Sequence, residues 1–426
     1  MTRMILQYKQ RYPVSSTLSD KKKYRMLYRV HSDQMALGNG YVWSILVIIS
    51  ILMAACGENS TPSSSQTASN VLQAVTPPPT PLVCPDQTDS ESKPTDYVSE
   101  DGPKLIYHNA PVRFYGYTSY PGAIGGAAAW HKPDFTQYID FIMQMGSRLG
   151  QNLFRPTDYW DQSDDHPEQG SDNVWKNLDY LVCAAQKQGI FVEMDLSAFQ
   201  KVLISQHLND LDPNNWKSFL TAVGKHYRNQ SAIAFYSILG EATAPKTTDA
   251  MDKLVAFYRT TTDTLHEADS NHLIMAGGFN HMEDESPSLP WWRQIYSLPN
   301  NNIPGFKTYS LNDLHFISTI VAFTNQIGKP AFDEEFGMQQ SLGDATFAGG
   351  EGIDGIRTSR AQFYEDVYST GESAGVQGFV FWDLGCDLRS TSYQVNPNTP
   401  ATWKVIQKHG PRANKTSSPD QDRSLC

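Results

Sequence analysis

The chain has 426 residues, with 34 Lys and Arg against 45 Asp and Glu, a formal net charge of -11. With 40% hydrophobic and 12% aromatic residues it can build a large core, which excludes a wholly disordered chain. The acidic balance argues against nucleic acid, whose phosphates need a basic face. Five cysteines are too few for a disulfide-built scaffold at this length. With no CxxC pair and no HExxH, neither a metal nor a cofactor is expected.

In chain order, residues 1–40 carry eight Lys and Arg and two Asp and Glu, and Tyr41 to Cys56 follows as sixteen uncharged residues. A basic stretch, an apolar run and small residues at its end read as an export signal, the run being short for a membrane span. Its end, Met53-Ala54-Ala55-Cys56, resembles the bacterial lipoprotein box, with Met53 in place of Leu. That resemblance implies cleavage before Cys56 and lipidation of its thiol, while an uncleaved signal anchor stays open. In residues 57–100, 21 of 44 are Ser, Thr or Pro, the composition of an extended linker. Without residues 1–56 the chain carries -17, which describes an acidic domain outside the cytoplasm. The expected organisation is a signal (1–56), a linker (57–100), a catalytic domain (101–412) and a tail (413–426).

Beyond the linker, eight β-rich runs alternate with helical patterns. They are Arg113–Tyr117, Asn152–Arg155, Ile190–Leu196, Ile233–Leu239, His272–Ala276, Asp313–Ile317, Pro330–Phe336 and Val376–Trp382. Most are nearly continuous apolar runs, as strands covered on both faces require, and eight parallel strands close an α/β barrel of the (β/α)8 TIM type. Val174, Leu178, Leu181, Val182 and Ala185 share one helical face, and Gly189 stops that helix. A doubly wound sheet would announce a dinucleotide with GxGxxG, which is missing; the glycine-rich stretch after Gly116 reads as a loop.

Function in such a barrel gathers at the C-terminal strand ends. Those ends carry Arg155, Asp195, Gly240-Glu241, His315, Glu334-Glu335 and Trp382-Asp383. Charged groups ending apolar strands are costly unless paired or used. Glu241 and Glu335 end strands four and seven, which face each other across the mouth. Glycoside hydrolysis needs one protonated carboxyl group for the leaving oxygen and one ionised carboxylate to attack or to activate water.

Lys329-Pro330 through Glu335-Phe336-Gly337 resembles the KPxxxxEFG segment of glycoside hydrolase family five and its clan A relatives. The runs IAFYSILGEA, NLFRP, GFVFWDLG and YHNAPVRFYGY resemble other strands of that family, so the likeness spans about residues 103–385. It implies a retaining (β/α)8 enzyme of cellulase or β-mannanase type. Glu335 would be the nucleophile and Glu241 the acid/base, with Arg155 supporting the nucleophile and Trp382 flooring the cleavage subsite. Glu334, one residue out of register, is expected to point away from the lumen.

Three positions depart from the family pattern. Gly240 replaces the usual Asn, Ser197 replaces a histidine, and His315-Phe316-Ile317 lacks the tyrosine of His-x-Tyr. Asn280 or His281 could supply replacement contacts, and a barrel that binds glycans but cleaves them poorly is the alternative.

Trp130, Trp160, Trp291 and Trp292 fall in segments read as loops and are candidates for a sugar-stacking platform. Cys183 reads as core, and Cys84, Cys386 and Cys426 could supply one disulfide. No GxSxG elbow supports an esterase. The sequence thus describes an exported, lipid-anchored, monomeric glycoside hydrolase acting on a β-mannan or β-glucan, with no nucleic acid partner.

Overall fold

The structure, a computed structural model, describes residues 82–84, 94–120, 126–160, 173–279, 290–349, 357–387 and 389–411. All of these belong to the second of two units into which the chain divides, Val75–Cys426. Cys56, Asn280, His281 and the first half of the glycine-rich stretch lie outside them.

Three short strands come first, β1 (Ser99–Asp101), β2 (Lys104–Tyr107) and β3 (Ala110–Val112), forming an antiparallel meander. Its apolar contribution is Leu105, fully buried together with Val98 against Phe114, Leu153, Ala234, Phe235, Phe332 and Val380. Those residues belong to the barrel strands, so the meander closes the lumen from the end opposite the carboxyl ends of the strands.

Eight parallel strands follow: β4 (Phe114–Thr118), β5 (Leu153–Arg155), β6 (Phe191–Asp195), β7 (Ile233–Ser237), β8 (Leu273–Met275), β9 (Gly305–Thr308), β10 (Phe332–Phe336) and β11 (Gly378–Phe381). Their order is β8-β7-β6-β5-β4-β11-β10-β9. The open seam between β8 and β9 is bridged by the parallel pair Met275 and Ile303. Side-chain carbonyls complete it: Asn302 Oδ1 accepts from Ile274 N–H and Asn301 Oδ1 from Ala276 N–H, each at 3.0 Å. Buried backbone donors must find acceptors, and these two asparagines supply them where a strand falls short.

The wall helices are α1 (Thr136–Arg148), α2 (Asn173–Gln188), α3 (Phe199–Ser205), α4 (Pro213–Tyr227), α5 (Thr248–Ala268), α6 (Pro290–Tyr296), α7 (Leu314–Gln326), α8 (Arg360–Ala374) and α9 (Pro400–His409). Val174, Leu178, Leu181, Val182 and Ala185 are all buried on α2, and Gly189 ends the helix at a φ of 61° that favours glycine. No described helix is long and apolar enough to cross a membrane.

Seven of the eight expected strands coincide with observed ones to within a few residues. The sixth does not: 313–317 begins α7, and the strand is Gly305–Thr308. The Asp313 carboxylate accepts from the backbone N–H of Tyr309 and Ser310 at 2.8 and 2.6 Å, folding the strand end back into the helix start.

Cys183, expected as core, is instead a disulfide partner. Cys84 is bonded to Cys183 on α2, joining the stretch before the meander to the barrel wall. Cys386 is also disulfide-bonded.

Candidate active site

Period-2 alternation decides which side chains enter the lumen. On β5 the inward residues are Leu153 and Arg155, on β6 Glu193 and Asp195, on β9 Gly305 and Lys307, and Tyr309 continues the last series. β10 breaks the alternation. Asp333 pairs with Phe306 and Glu335 with Lys307, leaving Glu334 as an extra, bulged residue. The bulge turns Glu334 and Glu335 to the same side. This corrects the expectation that Glu334 points away from the lumen.

Arg155 stands at the centre. Its guanidinium lies 2.6 Å from Glu335, 2.8 Å from Asp195, 3.0 Å from Glu334 and 3.3 Å from Glu193. All five groups are buried. Four carboxylates around one cation cannot all ionise cheaply, so the cluster has to divide its protons. Burial raises Glu193 well above the ordinary carboxyl range and raises Glu334 as well, Arg155 only partly opposing it. Glu335 goes the other way. Burial would raise it, but Lys307, Arg155 and the Tyr309 hydroxyl outweigh that and hold it down at about 2. Glu335 is thus the carboxylate that the cluster favours in ionised form, while burial disfavours charge on Glu193 and Glu334.

The Tyr309 hydroxyl donates to Glu335 Oε1. Burial and the neighbouring Glu335 carboxylate push that phenol well above its usual range, so it remains a donor. The hydroxyl that Ile317 lacks is supplied by Tyr309, because the sixth barrel strand is Gly305–Thr308. Ile317 is buried on α7.

Lys307 also differs from the expected histidine. Its ammonium is 3.1 Å from Glu335 Oε2 and 3.2 Å from Glu241 Oε1. Burial would lower its pKa, but Glu335 and Glu241 raise it, so the ammonium stays charged. Because one nitrogen touches both carboxylates, the two oxygens can be no farther apart than the sum of those distances.

Glu241 follows β7 with φ at 63°, in the left-handed region that a non-glycine residue occupies at a cost of about 1–3 kcal/mol. Its N–H donates to Gly278 O at 2.6 Å, fixing the turn, while its side chain is 58% exposed and reaches the open mouth. Burial of Glu335 and solvent access for Glu241 give the two carboxylates unlike surroundings.

Trp382 is half-buried beyond β11 and stacks on Tyr120, ring centroids 6.1 Å apart and 25° between planes. Tyr393 meets Tyr309 edge-on at 6.0 Å. Asp383, next to Trp382, accepts from Tyr120 N–H and from Gln394. Burial lifts it to about 7 despite those bonds.

Trp130, Trp160, Trp291 and Trp292 are all core residues, not a platform. Trp130 packs on Phe135 and Tyr159, and Trp160 on Trp175 and Phe219. Trp291 and Trp292 lie on α6, where neighbours diverge by about 100°. One ring meets Phe279 and the other Phe323, so both are buried on different sides of the helix. His315 is exposed in the first turn of α7 rather than at a strand end. Ser197 donates its backbone N–H to Asp195. Among the described residues no group of three or more His, Cys, Asp or Glu is placed to hold a metal ion.

Comparison with known proteins agrees with this architecture. No curated protein sequence matches the chain. Among solved structures, the endo-1,4-beta-mannanase of Rhizomucor miehei superposes with a TM-score of 0.55 at 16% identity, covering 75% of this chain and 100% of that one. The endo-1,4-beta-D-mannanase of Thermotoga petrophila gives 0.54 at 16% identity, over 70% and 99%. A beta-glucanase of Saccharophagus degradans gives 0.51 at 13%, over 76% and 97%. At these identities the likeness is one of fold. The sequence profile described as cellulase (glycosyl hydrolase family 5) matches residues 107–348, a span that contains Arg155, Glu241, Lys307, Tyr309 and Glu335. The chain belongs to glycosyl hydrolase family 5.

Proposed function

We propose that the protein hydrolyses β-glycosidic bonds of a mannan or glucan with retention, through a covalent glycosyl-enzyme. Glu335 attacks the anomeric carbon as the glycosidic C–O bond breaks, and Glu241 gives its proton to the departing oxygen. Glu241 then takes a proton from water, the water oxygen attacks the same carbon, and the ester electron pair returns to Glu335. Arg155 and Tyr309 hold Glu335 ionised and aimed. Trp382, with Tyr120 behind it, offers the face on which a sugar ring stacks.

The observation that carries this reading is the ammonium of Lys307 touching both carboxylates. That shared contact holds one oxygen of each carboxylate close enough to accommodate the ~5–5.5 Å spacing of a retaining pair. The mannan or glucan assignment draws on the named mannanases and glucanase that share the fold.

Reducing-sugar release by residues 75–426 on a panel of β-mannans and β-glucans tests the reading. Activity on one polymer should fall by at least about 10³-fold in Glu335→Gln. Binding to a polymer without release from any of them would establish the glycan-binding alternative instead.

An exported setting belongs to the same proposal. The Cys84–Cys183 disulfide suits an oxidising compartment, and Cys56 is the proposed lipid attachment point. Labelling with a radioactive fatty acid should mark the full chain and not Cys56→Ser.

A further inference from the structure

Among the described residues, Lys307 is the cation that contacts both members of the proposed catalytic pair, and the fold makes room for it. A Cβ on Gly278 would lie 3.1 Å from Lys307 Cγ, and a Cβ on Gly240 would lie 3.7 Å from its Nζ. The same Gly240 Cβ would meet Glu334 Oε1 at 3.2 Å and Arg155 at 3.3 Å. The space that a side chain at position 240 would fill is thus taken by Lys307, Glu334 and Arg155. Gly240, Gly278 and the bulged Glu334 form one rebuilt corner of the barrel, and the ammonium is its centre.

We infer that Lys307 is a positioning residue whose ammonium serves the second half of the double displacement, by passing from the nucleophile to the acid/base. The inference rests on the retaining reading above. In the free enzyme the ammonium is shared between Glu335 and Glu241. Once Glu335 has formed its ester with the anomeric carbon it has lost its charge. Glu241 is then the anionic partner left within reach of Lys307, at the stage where it must be ionised to take a proton from water. As water adds and the ester C–O bond breaks, the charge returns to Glu335 and the ammonium is shared again. A lysine fixed between two carboxylates favours whichever of them is charged. Among the described residues, the other charged or titratable groups around it are Arg155 on β5, Glu334 on β10 and, beyond Glu335, Tyr309 on its own strand.

The test uses 2,4-dinitrophenyl β-cellobioside and β-mannobioside, whose leaving group needs no proton, with wild type, Lys307→Met and Lys307→Arg. For Lys307→Met, kcat should fall at least about tenfold and by a clearly larger factor than kcat/KM, so KM falls with kcat. A pre-steady-state burst of dinitrophenol should appear, and intact mass spectrometry of the quenched enzyme should show the added glycosyl group. Lys307→Arg, which keeps the charge, should restore kcat.

Equal losses in kcat and kcat/KM, or no burst, would overturn the inference while leaving the retaining reading intact. No turnover of either glycoside by wild type would overturn both. A second measurement stands apart from turnover and from the stability of any variant: ¹³C titration of the Glu335 carboxyl in wild type. It should remain ionised at pH 3.5, and a midpoint at or above the ordinary value of about 4.3 would remove the ion pair on which the inference depends.

Discussion

Gly240 shows how little slack the site contains. Gly240→Ala would press a methyl group against Glu334 and Arg155 at 3.2–3.3 Å. Displacing Arg155 displaces Glu335, so activity should drop roughly 10–100-fold. The melting temperature should move by only a few degrees, which separates the effect from unfolding. Glu193 gives a pH prediction. Its folded pKa is raised by burial, so its contribution to stability is complete below the unfolded value and declines as pH rises toward the folded one. Glu193→Gln cannot ionise and should gain on wild type in melting temperature between pH 5 and pH 8. An unchanged difference across that range would show that Glu193 is ionised in the fold. Both glutamates of the proposed pair and Arg155 were legible as polar ends of apolar strands. Lys307 and Tyr309 were not, although Lys307-Thr308-Tyr309 has the spacing that puts two polar groups on one face. The short run GFKT is half polar and looks like a turn beside the far more apolar LHFISTIVAF that follows.

The same contrast operates at the level of elements. A four-residue strand inside a barrel is held by its neighbours' hydrogen bonds, not by its own hydrophobicity, so pattern alone favours the greasier segment. The segment chosen was a helix because Asp313 gathers the N–H groups of Tyr309 and Ser310 and starts the turn there. Trp291 and Trp292 are hidden for a related reason: a helix of only seven residues, α6, leaves too short a period to recognise. Its burial leads to a paired prediction. Trp292→Ala should destabilise the fold by about 3–5 kcal/mol in denaturant melts while leaving KM near wild type. Trp382→Ala should do the reverse, raising KM or lowering kcat with a much smaller loss of stability. If both variants behaved alike, the division between wall and floor would be wrong.

For the molecule as a whole, the number and direction of the barrel strands could be read from nearly continuous apolar runs set between helical patterns, because each strand is buried on both faces. The antiparallel meander could not, since strands of three or four residues carry no usable alternation. The disulfide was equally hidden, pairing being a property of distance in space. Removing it with Cys84→Ser should cost roughly 2–4 kcal/mol, measured as a lower denaturation midpoint that reductant no longer shifts for that bond.

The bond between Cys84 and Cys183 also sets how the molecule carries load. The two cysteines are 99 positions apart, and the stretch between them holds β1 to β5, α1 and Arg155. Tension entering from the linker crosses to α2 through sulfur and bypasses that stretch. Pulled from its two ends, the oxidised protein should release roughly 330–350 Å less contour length than the same protein without this bond, at about 3.3–3.6 Å per residue. Under the proposed tethering and the proposed action on a long polymer, the strand that holds Arg155 beside Glu335 would be the part of the chain that is never pulled.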